Sequence, residues 1–285
     1  MLRSIAQSGI LVSLAALSPS SVAREAFCYI PGAGGGGKFA MEDVPRILNS
    51  RRTPFVAFDV GKVGDILSRA RIFAALLSQE LKADPDFRCH VLAYSMGGIT
   101  IRYAVNHLRV PDVAARRNRP LKELIASITT LSTPHRGTPL ALLGRELNLP
   151  VGEGELQLAD DTMEMFNSPS YPATYSPIPQ DVPFYSFRTW VADASATPDP
   201  LKFASFNVLT EFLRAAGMDV RNDSVIPTES QGAGRVLGDL EIPHDYWANG
   251  AGYLPSPTQF YGYYWHWLHG RVANPALTTR FDRLR

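Results

Sequence analysis

The stretch HVLAYSMGGIT, residues 90–100, joins a run of apolar residues to a serine that lies between small residues. The apolar run predicts a buried strand, and the residues after Ser95 predict a helix. A serine at such a junction, in the pattern G-x-S-x-G with Ala93 in the first position and Gly97 in the last, is typical of a nucleophile on a strained turn. An ordinary helix N-cap serine is the alternative. The position between strand and helix favours the nucleophile.

Outward from this stretch, short apolar runs alternate with segments of helical period. The helical pattern is clearest over 65–81, and 96–108 and 203–216 also predict helices. Strands that alternate with helices form a mostly parallel sheet with helices on both faces. The sequence therefore predicts an α/β fold with a sheet of about six strands. The predicted strands are Ala26–Ile30, Phe55–Phe58, Cys89–Tyr94, Leu124–Leu131, Pro183–Trp190 and Val236–Ile242.

A nucleophilic serine needs a histidine base, and that base needs an acid to orient it. Both are expected at strand ends, in the chain order serine, acid, histidine. Asp223 in RNDSVIPTES and His244 in LEIPHDYWANG meet these conditions. Other candidates remain open: Asp193 and Asp199 for the acid, and His266 and His269, in an aromatic stretch typical of a C-terminal helix, for the base.

The glycine run in FCYIPGAGGGGKF, residues 27–39, has two interpretations. Gly32, Gly34 and Gly37 fit the dinucleotide pattern G-x-G-x-x-G, with Asp59 near the position of a ribose-binding acid. Alternatively, the loop supplies the N–H of Ala33 or its neighbour to an oxyanion, with the N–H of Met96 as the second donor. The second interpretation is favoured, because the first leaves the serine, acid and histidine unexplained.

Composition narrows the function classes. The chain has 285 residues, 45% of them hydrophobic, and a net charge of +1, which argues against a broad basic surface for nucleic acid. The basic cluster of Arg116, Arg117, Arg119 and Lys122 is interpreted as a solvated loop rather than a membrane patch.

The N-terminus resembles an export signal. Arg3 precedes an apolar stretch over 10–17, and Ser21 and Ala23 are placed as in a signal-peptidase site, which predicts a signal peptide over 1–23. The mature chain would then be secreted or periplasmic and soluble. The alternative is a loosely packed N-terminal helix on a cytoplasmic protein.

Cys28 lies in the first predicted strand, and Cys89 opens the third. Buried free thiols are the commoner outcome for such cysteines, whereas a disulfide requires the two strands to be neighbours. No metal-ligand spacing is present, so neither a metal site nor a cofactor is predicted.

Several segments together resemble the secreted bacterial triacylglycerol lipases and related esterases of the α/β-hydrolase fold. They are AYSMGG, LSTPHRGTPLA (131–141), MFNSPSYP (165–172), VPFYSF (182–187) and NDSVIPTESQ (222–231). The resemblance implies that Ser95, Asp223 and His244 form a catalytic triad and that Ala33 and Met96 form the oxyanion hole. His135 and Arg136 follow the fourth predicted strand, and we expect them to brace the loop beneath the site; a direct catalytic role is the alternative, but the triad is complete without them. Calcium is not carried over, because the acid near His244 is spaced differently from that of the calcium-binding members.

The resemblance and the Leu-rich composition also suggest a cap or lid over about 138–181, inserted in a single domain over 24–285. Its movement would expose an apolar acyl pocket and allow transient contact with a lipid interface; an ordinary surface insertion is the alternative. The expected substrate is a small-molecule ester or lipid, with no nucleic acid and no stable partner. A thioesterase or phospholipase would use the same residues, and a dinucleotide-binding oxidoreductase or a non-catalytic binding protein on this fold remains an alternative.

Overall fold

A computed structural model describes residues 24–61, 64–112, 116–146, 153–193, 200–249 and 256–270. Its main sheet has six strands, in the order β2-β1-β3-β6-β7-β8, and all neighbouring strands pair in parallel. Each predicted apolar run overlaps one of them, so the α/β prediction is confirmed. The strands are β1 (Glu25–Ile30), β2 (Phe55–Ala57), β3 (Arg88–Tyr94), β6 (Ile125–Leu131), β7 (Phe184–Trp190) and β8 (Arg235–Glu241).

Helices cover both faces of the sheet, as expected for strands that are apolar along most of their length. One face packs against α2 (Ile66–Ala83) and α3 (Met96–His107), and the other against α1 (Val44–Ser50) and α9 (Pro257–Leu268). The α9 side is rich in aromatic residues, and Tyr261 and Tyr264 are fully buried there. The remaining helices are α4 (Pro139–Glu146), α5 (Glu153–Leu156), α6 (Asp160–Asn167), α7 (Pro200–Ala215) and α8 (Tyr246–Asn249).

The basic segment that we expected to be a loop is partly a hairpin. Strands β4 (Arg109–Asp112) and β5 (Arg117–Pro120) pair antiparallel, apart from the main sheet. Glu123 lies within 3.5 Å of the guanidinium groups of both Arg117 and Arg119. The hairpin has little apolar alternation, so its pattern gave no strand signal.

Cys28 and Cys89 form a disulfide, with their Cα atoms 5.6 Å apart. The commoner outcome, two free thiols, is therefore wrong for this pair. Strands β1 and β3 are neighbours, and Cys89 lies opposite Ala26, so the cysteines are two residues out of register. The sequence could not supply this, because it does not show which strands are adjacent.

The predicted lid segment is anchored to the body over much of its length. Met163 and Phe166 of α6 are buried in the main core, and the Gln157 side chain accepts a 2.8 Å hydrogen bond from the N–H of Ile66, at the start of α2. The predicted signal peptide, 1–23, lies outside the described residues, as does 147–152 of the insertion. In the part of the chain that the structure describes, no helix has the length and apolar character needed to cross a membrane.

Candidate active site

Ser95 lies on the turn between β3 and α3 with φ 52° and ψ −127°, a backbone conformation that is costly for a residue with a side chain. Its hydroxyl makes no capping hydrogen bond to α3, so it is not an ordinary N-cap. The N–H of Ser95 donates a 2.9 Å hydrogen bond to the carbonyl of Leu131, the last residue of the neighbouring strand β6. This bond stabilises the turn. Ser95 is only 6% exposed.

The small residues around Ser95 permit close packing. A Cβ on Gly97 would lie 2.5 Å from the carbonyl oxygen of Ile30, at the end of β1. A Cβ on Gly98 would meet the side chain of Thr133 at 2.2 Å. Larger residues at either position would push α3 away from the sheet and move Ser95 with it.

Ser95, His244 and Asp223 form one hydrogen-bonded row. The Oγ of Ser95 lies 3.1 Å from Nε2 of His244, and Nδ1 of His244 lies 2.8 Å from Oδ2 of Asp223. An ionised carboxylate only accepts, so Nδ1 carries the proton and Nε2 is free to accept from the serine. This geometry allows a proton to pass from the serine hydroxyl to the imidazole.

The loop after α7 and the loop after β8 bring Asp223 and His244 together. The backbone N–H of His244 donates to the carbonyl of Asp223 at 3.0 Å. Asp223 is fully buried, and its Oδ1 accepts from the N–H groups of Val225 and Ile226 at 3.1 and 2.8 Å. These contacts form a tight turn that leaves Oδ2 facing the histidine.

Two further side chains, which the sequence analysis did not single out, donate to Oδ2 of Asp223. The hydroxyl of Thr189 does so at 2.8 Å, and the amide of Gln231 at 3.3 Å. The Oγ atoms of Thr189 and Ser132 are 2.7 Å apart, and Ser132 accepts from the indole N–H of Trp247 at 2.9 Å. A buried polar chain therefore runs from the indole to the carboxylate. Thr189 is the second-last residue of a predicted strand, and Gln231 follows Asp223 by eight residues, but neither position shows that the side chain contacts Asp223.

The glycine loop after β1 packs directly against the serine. A Cβ on Gly32 would lie 2.8 Å from the Cβ of Ser95, which explains a glycine here without any phosphate ligand. Beneath the loop, the buried guanidinium of Arg69 donates to the carbonyls of Pro31 and Gly32, and also to that of Gly61 at 2.6 Å. Burial lowers the pKa of Arg69 to about 10, so it remains charged at neutral pH.

His135 lies in the core beneath the site. Its Nε2 is 3.0 Å from the Oγ of Thr130, and its Nδ1 is 3.3 Å from Nη1 of Arg102. Burial, followed by the charges of Arg102 and Arg136, lowers the pKa of His135 well below its usual range. The backbone carbonyl of His135 accepts from the side-chain amide of Asn167, in the insertion. These contacts fit the bracing role that we expected for His135 from its position after the fourth predicted strand.

The competing candidates lie elsewhere. His269 directly follows α9, and its Nε2 lies 3.1 Å from Glu25, at the amino end of β1. His266 is in the last turn of α9. Asp193 is beyond the end of β7, and Asp199 lies outside the described residues. Among the described residues, one group of three His, Cys, Asp or Glu side chains has metal-binding geometry: Glu25, His90 and His269.

Known structures share this architecture. Lipase 1 from Pelosinus fermentans matches with a TM-score of 0.63 and 16% identity, over 86% of this chain and 98% of that one. Staphylococcus hyicus lipase matches with a TM-score of 0.59 and 12% identity, over 91% and 96% of the two chains. A metagenomic carboxyl esterase matches with a TM-score of 0.60 and 15% identity, over 94% of this chain and 82% of that one.

Sequence comparisons cover less of the chain. Triacylglycerol lipase 2 of Saccharomyces cerevisiae is 32% identical over an alignment of 102 residues, which covers 34% of this chain and only 28% of that relative. No protein-family model matches the sequence. Together with the six-stranded parallel sheet, the structural neighbours, which are bacterial lipases and esterases, show that the chain has the α/β-hydrolase fold.

Proposed function

We propose that the chain is a serine-dependent carboxylic ester hydrolase that acts on lipid or acylglycerol esters. The observation that carries this proposal is the row from Ser95 Oγ through His244 to Asp223, with separations of 3.1 and 2.8 Å, on a strained strand–helix turn. The fold shared with proteins named lipases and esterases supports it.

Hydrolysis would proceed through an acyl-enzyme. The Oγ of Ser95 attacks the ester carbonyl while Nε2 of His244 takes the hydroxyl proton, and Asp223 stabilises the resulting imidazolium. Collapse of the tetrahedral intermediate expels the alcohol, which receives that proton from His244. A water molecule then gives its proton to His244 and attacks the acyl carbon. Release of the carboxylic acid restores Ser95.

The tetrahedral intermediate needs hydrogen-bond donors for its oxyanion. We assign this role to the N–H of Met96, which follows the serine at the start of α3, and the N–H of Ala33, in the glycine loop. The contact of Gly32 with Ser95 supports the assignment, because it brings the loop beside the nucleophile. The same contact counts against the dinucleotide alternative, in which Gly32 would approach a pyrophosphate.

The lipid side of the proposal rests on the insertion over 138–181. Three leucines of α4 are only partly buried: Leu140, Leu142 and Leu143. They present apolar surface for contact with an acyl chain. We propose that α4 belongs to a lid that contacts a lipid interface transiently. A thioesterase or phospholipase would place the same demands on Ser95, His244 and Asp223, so the leaving group must be found by assay.

The first test is hydrolysis of p-nitrophenyl esters across a short-to-long acyl series. Ser95→Ala should abolish turnover and labelling by a fluorophosphonate, with unchanged unfolding temperature. Ser50→Ala is the matched control, because its exposed hydroxyl donates only to the local carbonyl of Ile47. The chain-length preference of the active protein then separates esterase from lipase. Equal activity in Ser95→Ala would refute the proposal, and a fully active His244→Ala would refute the assignment of the base.

We also propose that the protein is exported and works in a secreted or periplasmic setting. The Cys28–Cys89 disulfide supports this, because structural disulfides persist mainly in oxidising compartments. The mass and N-terminal sequence of protein from the producing cells test the proposal. Cleavage after Ala23 is expected; an intact N-terminus on reduced, cytoplasmic protein would contradict it.

A further inference from the structure

A second cluster of reactive side chains lies at the amino ends of the strands, whereas Ser95 lies at their carboxyl ends. Glu25 begins β1, His90 lies in β3, and His269 follows α9. Oε2 of Glu25 is 3.5 Å from Nε2 of His90 and 3.1 Å from Nε2 of His269. All three atoms lie within 4.8 Å of one another. The residues are 65 and 244 positions from Glu25 in sequence, so no spacing motif reveals them.

His269 is oriented by a hydrogen bond to its own helix. Its Nδ1 is 2.9 Å from the carbonyl oxygen of Trp265, which can only accept, so Nδ1 is the donor in this contact. The other ring nitrogen, Nε2, therefore faces the carboxylate of Glu25 at 3.1 Å, where the two atoms can share either a proton or a metal cation.

His90 is held in a similar way. Its Nδ1 lies 2.8 Å from the Oγ of Ser127, on the neighbouring strand β6, which can accept the ring proton. The indole of Trp265 packs against both imidazoles, with ring centroids 5.8 Å from His90 and 4.2 Å from His269. Outer hydrogen bonds of this kind orient histidine ligands in known metal sites. The cluster is reachable, since the side chains of Glu25 and His269 are 36% and 27% exposed.

We propose that Glu25, His90 and His269 form a zinc site. Two nitrogens and one carboxylate oxygen are a donor set that Zn²⁺ favours, whereas Ca²⁺ and Mg²⁺ prefer oxygen alone. Tetrahedral zinc with bonds of about 2.0–2.1 Å places its ligand atoms roughly 3.3 Å apart. The separations from Oε2 of Glu25 to Nε2 of His90 and of His269, 3.5 and 3.1 Å, are already close to this value. A shift of one imidazole towards the other would bring the two Nε2 atoms to the same separation. Water fills the fourth position.

The site is structural rather than catalytic. His90 precedes Ser95 by five residues on one strand, which separates them by roughly 17 Å at the usual strand rise. A zinc ion here would tie β1 and β3 to the end of α9, the helix that closes one face of the sheet. Binding only to the folded state would then stabilise it.

Direct binding tests the proposal. Chelator-treated, untagged protein is titrated with ZnCl₂ against a chromophoric competitor. We expect one equivalent to bind with micromolar or tighter affinity. Saturating zinc should raise the unfolding temperature by roughly 5–10 °C, and EDTA should reverse the rise. Co²⁺ in the same site should give the visible absorption of a four-coordinate ion.

Variants locate the site. Glu25→Gln and His269→Ala should each weaken zinc binding by at least about tenfold and abolish the thermal shift. His107→Ala removes a histidine outside the cluster, and His244→Ala removes the histidine beside Ser95; both should bind zinc as the wild type does. Absence of zinc binding, or equal binding by wild type, Glu25→Gln and His269→Ala, would overturn the proposal. Neither outcome depends on ester hydrolysis, so the proposed function stands or falls separately.

Discussion

The buried guanidinium of Arg69 donates a 2.9 Å hydrogen bond to the carbonyl oxygen of Gly32. In a planar trans peptide the carbonyl and the following N–H point in opposite directions. By fixing the Gly32 carbonyl, Arg69 therefore turns the N–H of Ala33 away from the core. We infer that Arg69 is a positioning residue for the proposed oxyanion hole.

Replacing Arg69 with Met should lower kcat by about tenfold or more and change KM little, because the Ala33 N–H would matter most in the transition state. Arg69→Lys keeps one cationic donor and should recover part of the loss. Steady-state kinetics well below the unfolding temperature provide the measurement. The Met side chain cannot donate to the carbonyls of Pro31 and Gly32. If Arg69→Met nevertheless keeps the wild-type kcat, the positioning role is wrong.

Thr189→Val removes the hydroxyl that donates to Oδ2 of Asp223 while keeping the side-chain shape. We expect kcat to fall by about tenfold, which is the lower range for losing a hydrogen bond to a charged group. Steady-state kinetics with a p-nitrophenyl ester provide the measurement. Thr189→Ser retains the hydroxyl and should restore kcat; an unchanged kcat in Thr189→Val would show that the hydroxyl does not support the carboxylate during turnover.

His135 should make the fold sensitive to acid. Its pKa is lowered by burial in the folded state, so below about pH 6.5 the unfolded chain binds a proton that the folded chain does not. The contribution of His135 to the free energy of unfolding should thus be fully present above that pH. Below it, the free energy of unfolding should fall by up to about 1.4 kcal/mol per pH unit. Urea midpoints at several pH values should show a shallower slope for His135→Gln. An identical slope would mean that other groups, such as His90, account for the whole effect.

The disulfide should contribute stability without contributing to catalysis. Cys28 and Cys89 are 61 residues apart, and closing a loop of that length stabilises a fold by at most about 4 kcal/mol in the chain-entropy model. The double variant Cys28→Ala, Cys89→Ala should unfold at lower urea concentration and keep its kcat at 25 °C, because neither residue contacts Ser95 or His244. An unchanged urea midpoint would contradict the stabilising role.

Much of the fold could be predicted from the local pattern of apolar residues in the sequence. Strands such as β3 are buried along nearly their whole length, so they appear as continuous apolar runs, and helices such as α2 show a clear period. The hairpin β4–β5 was missed because its residues, including Pro111 and Pro120, do not alternate. The Cys28–Cys89 pairing depends on strand order, which local pattern does not encode.

The residues of the candidate site also differ in whether local sequence predicts them. Ser95 has a local signature, and Asp223 and His244 follow from chain order once strands are assigned. Thr189, Gln231 and Arg69 carry no such signature, because their roles come from contacts between segments distant in sequence. Glu25 and His269 are the extreme case, 244 positions apart and yet 3.1 Å from each other.

The backbone at Ser95 has φ 52°, a value at which glycine is at ease and serine is not. The rest of the fold must therefore supply the free energy that holds this turn, through the close fit of Gly97 against Ile30 and the bond from Ser95 to Leu131. Selection for stability alone would favour glycine at position 95, and selection for a nucleophile would favour serine. Serine at this position is what the proposed mechanism requires, because it keeps the nucleophile at the expense of a more stable turn.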